Sequence, residues 1–101
     1  WKEVREMTSE KNLQDYLIKR CGFNGIYARK MQAVGHTGFP DVLLAIYGAA
    51  VFVELKSPTG RRRLSLKQER EIERMTKAGL TVLVLNSKEQ VDDLIIKIID
   101  A

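Results

Sequence analysis

Hydrophobic positions along this chain change period several times, and each change predicts an element. Behind the start signal Thr8-Ser9, Leu13, Tyr16 and Leu17 recur at helical spacing from Glu10 to about Arg20, and Gly22 and Gly25 close that helix. Ile26 to Gln32 reads as a short first strand, and Gly35-His36-Thr37-Gly38 as a loop. Asp41 to Tyr47 and Val51 to Lys56 are rich in β-branched, aromatic and aliphatic residues, and Gly48-Ala49 between them predicts a two-residue hairpin turn. Ser57-Pro58-Thr59-Gly60 breaks the strand. Ser65, with Gln68 three positions on, has the spacing of a capping box and opens a helix that runs to Ala78 and stops at Gly79. Leu80 to Leu85 is continuously apolar, which predicts burial on both faces and, after a helix, a crossover connection. Ser87 and Gln90 repeat the capping spacing before a last helix with Val91, Leu94, Ile95 and Ile98 on one face. The order α-β-β-β-α-β-α predicts an α/β (α+β) domain, a mixed sheet flanked by helices.

Three charges interrupt this apolar pattern: Asp41 opens the second strand, and Glu54 and Lys56 close the third. A half-buried strand carries charge at a cost unless the charges pair or hold a metal. With the turn on Gly48-Ala49, Tyr47 pairs with Ala50, Leu43 with Glu54 and Asp41 with Lys56. Asp41, Glu54 and Lys56 then share one face, with Asp41 diagonal to Glu54 at about 7–8 Å. Two acids beside a lysine suit metal-assisted phosphodiester cleavage; the plainer alternative is a cross-strand salt bridge. Glu10 lies in line with Leu13 and Leu17 and points inward, although an acid in a first turn also complements the helix dipole. Gln68 lies in line with Ile72 and Met75, although it also completes the capping box. Phe39-Pro40 stiffens the backbone before Asp41.

Composition narrows the function classes. The chain has 101 residues, 45% hydrophobic and 30% charged, which fits a single globular domain over 1–101 and excludes a disordered chain. Its apolar runs are too short to span a bilayer, and its charged beginning is unlike a signal peptide. The single cysteine, Cys21, excludes an internal disulfide, fits a reducing cytoplasmic setting, and reads as a small half-buried side chain at a helix end. Net charge is +4. Arg61, Arg62 and Arg63 are consecutive, and Lys67 and Arg70 follow, so a basic rim beside Lys56 would collect phosphate. Nothing resembles a base-reading helix, so these cations read as backbone contacts. His36 reads as exposed, and Tyr16, Tyr27 and Tyr47 as packing residues.

Glu10, then Gly38-Phe39-Pro40-Asp41, then Glu54-Leu55-Lys56-Ser57, then Leu64-Ser65-Leu66-Lys67-Gln68, taken in order, resemble the PD-(D/E)xK nuclease superfamily and within it the VRR-NUC family. The resemblance covers nearly the whole chain. It implies a restriction-endonuclease-like α-β-β-β-α-β core with an extra C-terminal helix. It further implies that Asp41, Glu54 and the main-chain carbonyl of Leu55 ligate Mg²⁺ or Mn²⁺, with Glu10 completing the acidic cluster. Lys56 would orient or help deprotonate the attacking water, and Gln68 would bind near Lys56 or the scissile phosphate. Arg61, Arg62, Arg63 and Lys67 would contact nucleic acid, although the arginine run has no counterpart in the family pattern. The implied activity is that of a stand-alone phage or bacterial endonuclease acting on branched DNA such as Holliday junctions, as a homodimer. A non-catalytic DNA-binding module and a purely structural domain are the rival readings.

Overall fold

In a computed structural model, the description covers residues 9–57 and 64–101. The elements are α1 (Glu10–Phe23), β1 (Tyr27–Lys30), β2 (Val42–Ile46), β3 (Ala49–Leu55), α2 (Leu66–Lys77), β4 (Thr81–Leu85) and α3 (Lys88–Asp100). The four strands form one mixed sheet in the order β1-β2-β3-β4, antiparallel through β3, with β4 parallel to β3. The α+β architecture and the crossover through α2 are as the sequence indicates.

The sheet divides its two faces strictly. Ala28, Val42, Leu44, Val53 and Leu55 are buried on one face with Leu13, Leu17 and Cys21 of α1 and Val91 and Ile95 of α3. Each of the larger aliphatic side chains buried there contributes about 1.5–3 kcal/mol. The alternate residues, Leu43, Phe52 and Glu54, point to the opposite face, where α2 packs on β4. Among the described residues no helix is long and apolar enough to cross a membrane.

Several boundaries and orientations differ from expectation. The first helix continues through Gly22 to Phe23, because the Asn24 side chain caps it by donating to the Arg20 carbonyl, 2.8 Å away. Cys21 is therefore inside the helix and fully buried, and burial pushes its thiol up to about 11. The hairpin turns on Tyr47-Gly48, both with positive φ (49° and 82°), and Ile46 pairs with Ala49. Positive φ at both central positions matches the twist of the flanking strands, and glycine in the second place makes that turn accessible. The Tyr47 hydroxyl donates to the Ile98 carbonyl and ties the hairpin to α3. Leu43 consequently faces Phe52, two residues from the expected partner. A shift of two preserves the face, so Asp41 and Glu54 remain on the same side. β4 is an edge strand rather than a strand buried on both faces, with Val84 42% exposed. Of the tyrosines, Tyr16 packs against the core and bonds to Asp92 at 2.7 Å, whereas Tyr27 and Tyr47 are exposed.

Candidate metal centre

Three elements bring the acids together at one end of the sheet. Pro40 is fully buried and precedes Asp41, whose Oδ2 accepts from the Leu55 N–H at 2.9 Å. On the other side, the Met31 N–H donates to the Asp41 carbonyl at 2.8 Å. Asp41 is therefore fixed between β1 and β3. Ser9 caps α1 by accepting from the Asn12 N–H at 3.0 Å, and this starts the helix at Glu10. One carboxylate oxygen from each of Glu10, Asp41 and Glu54 lies within 4.8 Å of the other two. Glu54 is 1% exposed and Lys56 6%.

Gln68 organises the remainder. Its Nε2 donates to Glu54 Oε2 at 2.7 Å, and its Oε1 accepts from Lys56 Nζ at 3.2 Å and from the Ser65 N–H at 2.8 Å. The capping box and the inward contact, which the sequence leaves as alternatives, are both made by one amide. Lys56 Nζ is 3.8 Å from Glu10 Oε2, so among the described residues its ion-pair partner is Glu10 rather than Asp41 or Glu54. At the second capping position, Ser87 accepts from Gln90, but the Gln90 side chain bonds to the Asn86 N–H, so the reciprocal half is absent.

The electrostatics are those of a site in which one lysine stands beside three carboxylates. Burial, reinforced by the Asp41 charge, raises Glu54 to about 8. Burial also raises Asp41, opposed by the Leu55 hydrogen bond. Among the described residues, Glu54 Oε1 is buried with no hydrogen-bond partner. Buried carboxylate oxygens are ordinarily satisfied, and a hard divalent cation takes oxygen ligands of this kind. The donor set therefore fits a divalent metal ion.

Gly38, the first residue of the Gly38-Phe39-Pro40-Asp41 run, positions the site through a contact that no local pattern signals. Its φ is +86°, and a Cβ there would lie 2.7 Å from the Lys67 carbonyl oxygen and 3.0 Å from the Gln68 nitrogen. The loop before Asp41 thus rests directly on the first turn of α2, which carries Gln68. Lys67 and His36 are exposed. Arg61, Arg62 and Arg63 lie outside the described residues.

The chain is similar to a solved structure described as a VRR_NUC domain, at 36% identity and a TM-score of 0.75, covering 87% of this chain and 95% of that one. It is also similar to a VRR_NUC domain protein at 19% identity and a TM-score of 0.73, covering 93% of this chain and 90% of that one, which speaks to the fold alone. No family model matches the chain. No curated protein matches it.

Proposed function

The chain belongs to the VRR-NUC family, and from that footing we propose that it is a metal-dependent, structure-selective DNA endonuclease acting on branched DNA such as Holliday junctions. Residues 1–101 are read as one nuclease domain. The observation that carries the reading is the meeting of three carboxylates, with a buried lysine alongside and a buried Glu54 oxygen that has no hydrogen-bond partner among the described residues.

Glu10, Asp41 and Glu54, with the Leu55 carbonyl, would hold Mg²⁺ or Mn²⁺. When bound, such a cation makes a coordinated water more acidic and offsets charge on the phosphate. Lys56 is held by Gln68 and Glu10 and presents a compact positive charge toward the same space. There it orients the attacking water and steadies the phosphate oxygens. Gln68 keeps the Glu54 oxygen and the Lys56 ammonium at fixed separation. Water adds to phosphorus, one P–O ester bond breaks, and the products are a phosphate monoester and a free hydroxyl. Lys67, and the arginines at 61, 62 and 63, would hold the backbone.

A panel of single-stranded, duplex, flap and four-way-junction DNA tests this reading, with Mn²⁺ or Mg²⁺ present and cut positions mapped. Cleavage of the junction that Asp41→Asn abolishes, while the variant's metal-free melting temperature holds or rises, is the expected result. Tight metal-independent binding without any cleavage would replace the enzyme with the binding module.

A symmetric branch needs two cuts, and a two-fold dimer supplies two sites. Apolar surface in keeping with a dimer lies on α3 and β4: Ile96 and Ile99 are about half exposed, and a groove of about 400 Å³ runs between β4 and α3 past Val84, Leu94 and Lys97.

A further inference from the structure

The face of the sheet that carries Glu54 is only partly covered. α2 packs on β4, and Phe39 stands edge-on to Phe52 at 5.6 Å. Beyond them, toward β1 and β2, the register aligns two rows on this face: Arg29–Leu43–Phe52 and Tyr27–Ala45–Ala50. Ala45, Ala50, Tyr27 and Arg29 are exposed. Neither row contains a carboxylate. The next row, nearer the end of the sheet, is that of Asp41 and Glu54.

Arg29 is built into this surface. One Nη donates to the Ala28 carbonyl at 2.8 Å, and the guanidinium lies over the Tyr27 ring at 4.2 Å. The other guanidinium N–H groups bond to no described residue. Arg29 lies one strand over from Asp41 and two residues along, roughly 8 Å between backbones from ordinary strand spacings. The guanidinium turns toward Tyr27, on the side of Arg29 away from Asp41, and so lies farther along the sheet from the acidic site.

We propose that this open half of the sheet carries the DNA strand leading away from the scissile phosphate, with Arg29 bonding to its backbone and the Tyr27–Arg29 stack supporting a base or sugar. The proposal rests on the nuclease reading and names the path of its substrate. Charge selects the occupant. A guanidinium held over an aromatic ring, with donors that no described residue takes up, beside two alanines that let a flat group approach, suits a phosphodiester chain. A second copy placed face to face about a two-fold axis would instead bring like charges toward each other.

The test measures binding of the junction and of single-stranded DNA to the full chain in EDTA, where cleavage cannot intervene. The variants are Arg29→Ala, Arg29→Lys and Tyr27→Ala. Arg29→Ala should weaken binding roughly tenfold, as for one charge-assisted contact. It should also make the plot of log affinity against log salt shallower by about 0.7–0.9, the loss of one phosphate contact. Arg29→Lys should restore the salt slope, and Tyr27→Ala should weaken binding of the single strand. Both side chains are exposed, and unchanged melting temperatures exclude misfolding. If wild type cuts the junction while Arg29→Ala retains affinity and salt slope, the strand path is overturned and the nuclease stands. Loss of affinity and of salt slope in Arg29→Ala, beside a wild type that never cuts, keeps Arg29 as a DNA contact but overturns the nuclease and with it a path defined by a scissile phosphate. Conversion of a dimer to a monomer by Arg29→Ala, seen by sedimentation without a change in salt slope, assigns the face to a second copy and overturns the proposal.

Discussion

At the scale of single residues, Glu54 is the most informative side chain. Its carboxyl is raised from an ordinary 4.5 to about 8 by burial and by Asp41. A raised folded value means that the proton stabilises the native state. That contribution is complete below about pH 4.5 and is lost as pH climbs through about 8. Asp41 is raised as well and acts in the same direction. The metal-free protein should therefore melt at progressively lower temperature between about pH 5 and pH 8, measured by calorimetry in EDTA. Glu54→Gln should flatten that slope and raise the melting temperature at pH 8, while abolishing cleavage. A divalent ion competes with the proton, so Mn²⁺ affinity by titration calorimetry should rise over the same interval, with proton release on binding. A Glu54→Gln variant as pH-sensitive as the wild type would show that another group governs the slope. Gln68 supports its neighbours without being an acid itself. Its replacement by alanine should cost about 10–100-fold in metal affinity or activity, the usual range for a group that orients a metal ligand.

At the scale of elements, the site depends on one close approach. The Gly38 loop sits against the first turn of α2 with no space for a side chain. Gly38→Ala introduces a methyl group into the Lys67 carbonyl and a strained positive φ, at about 1–3 kcal/mol. Because that turn carries Gln68, the same substitution should lower cleavage more than its loss of stability explains, measured well below the melting temperature. Full activity in a destabilised Gly38→Ala protein would separate the loop from the site. The hairpin illustrates what is legible locally. Alternation revealed two strands and the shared face of Asp41 and Glu54. The turn position depended on Tyr47 adopting positive φ, a conformation uncommon for a non-glycine residue. Its hydroxyl has a partner on α3, more than fifty residues away in sequence. No local pattern contains that contact.

At the scale of the whole molecule, the apolar runs of β4 and α3 take on a different meaning. Continuity of Leu80 to Leu85 suggested burial on both faces, yet β4 forms the sheet's edge and leaves Leu80 and Val84 partly exposed. Exposed apolar edges of this kind favour association. Sedimentation equilibrium at micromolar concentration should report a dimer. Ile96→Lys combined with Val84→Lys should yield a folded monomer, since neither side chain belongs to the buried core. A wild-type chain that stays monomeric with branched DNA present would remove the two-site arrangement.

Sequence alone determined the succession of elements, the caps at Ser9, Ser65 and Ser87, and the set of polar residues placed on inward-facing positions. Each of these follows from periodicity or from a hydrogen bond spanning three or four residues. Tertiary structure decided the strand register, the edge position of β4, and the arrangement of Glu10, Asp41, Glu54, Lys56 and Gln68 around one point. Those outcomes depend on contacts between distant segments, and their energies come from burial and pairing that exist only after the chain has closed on itself.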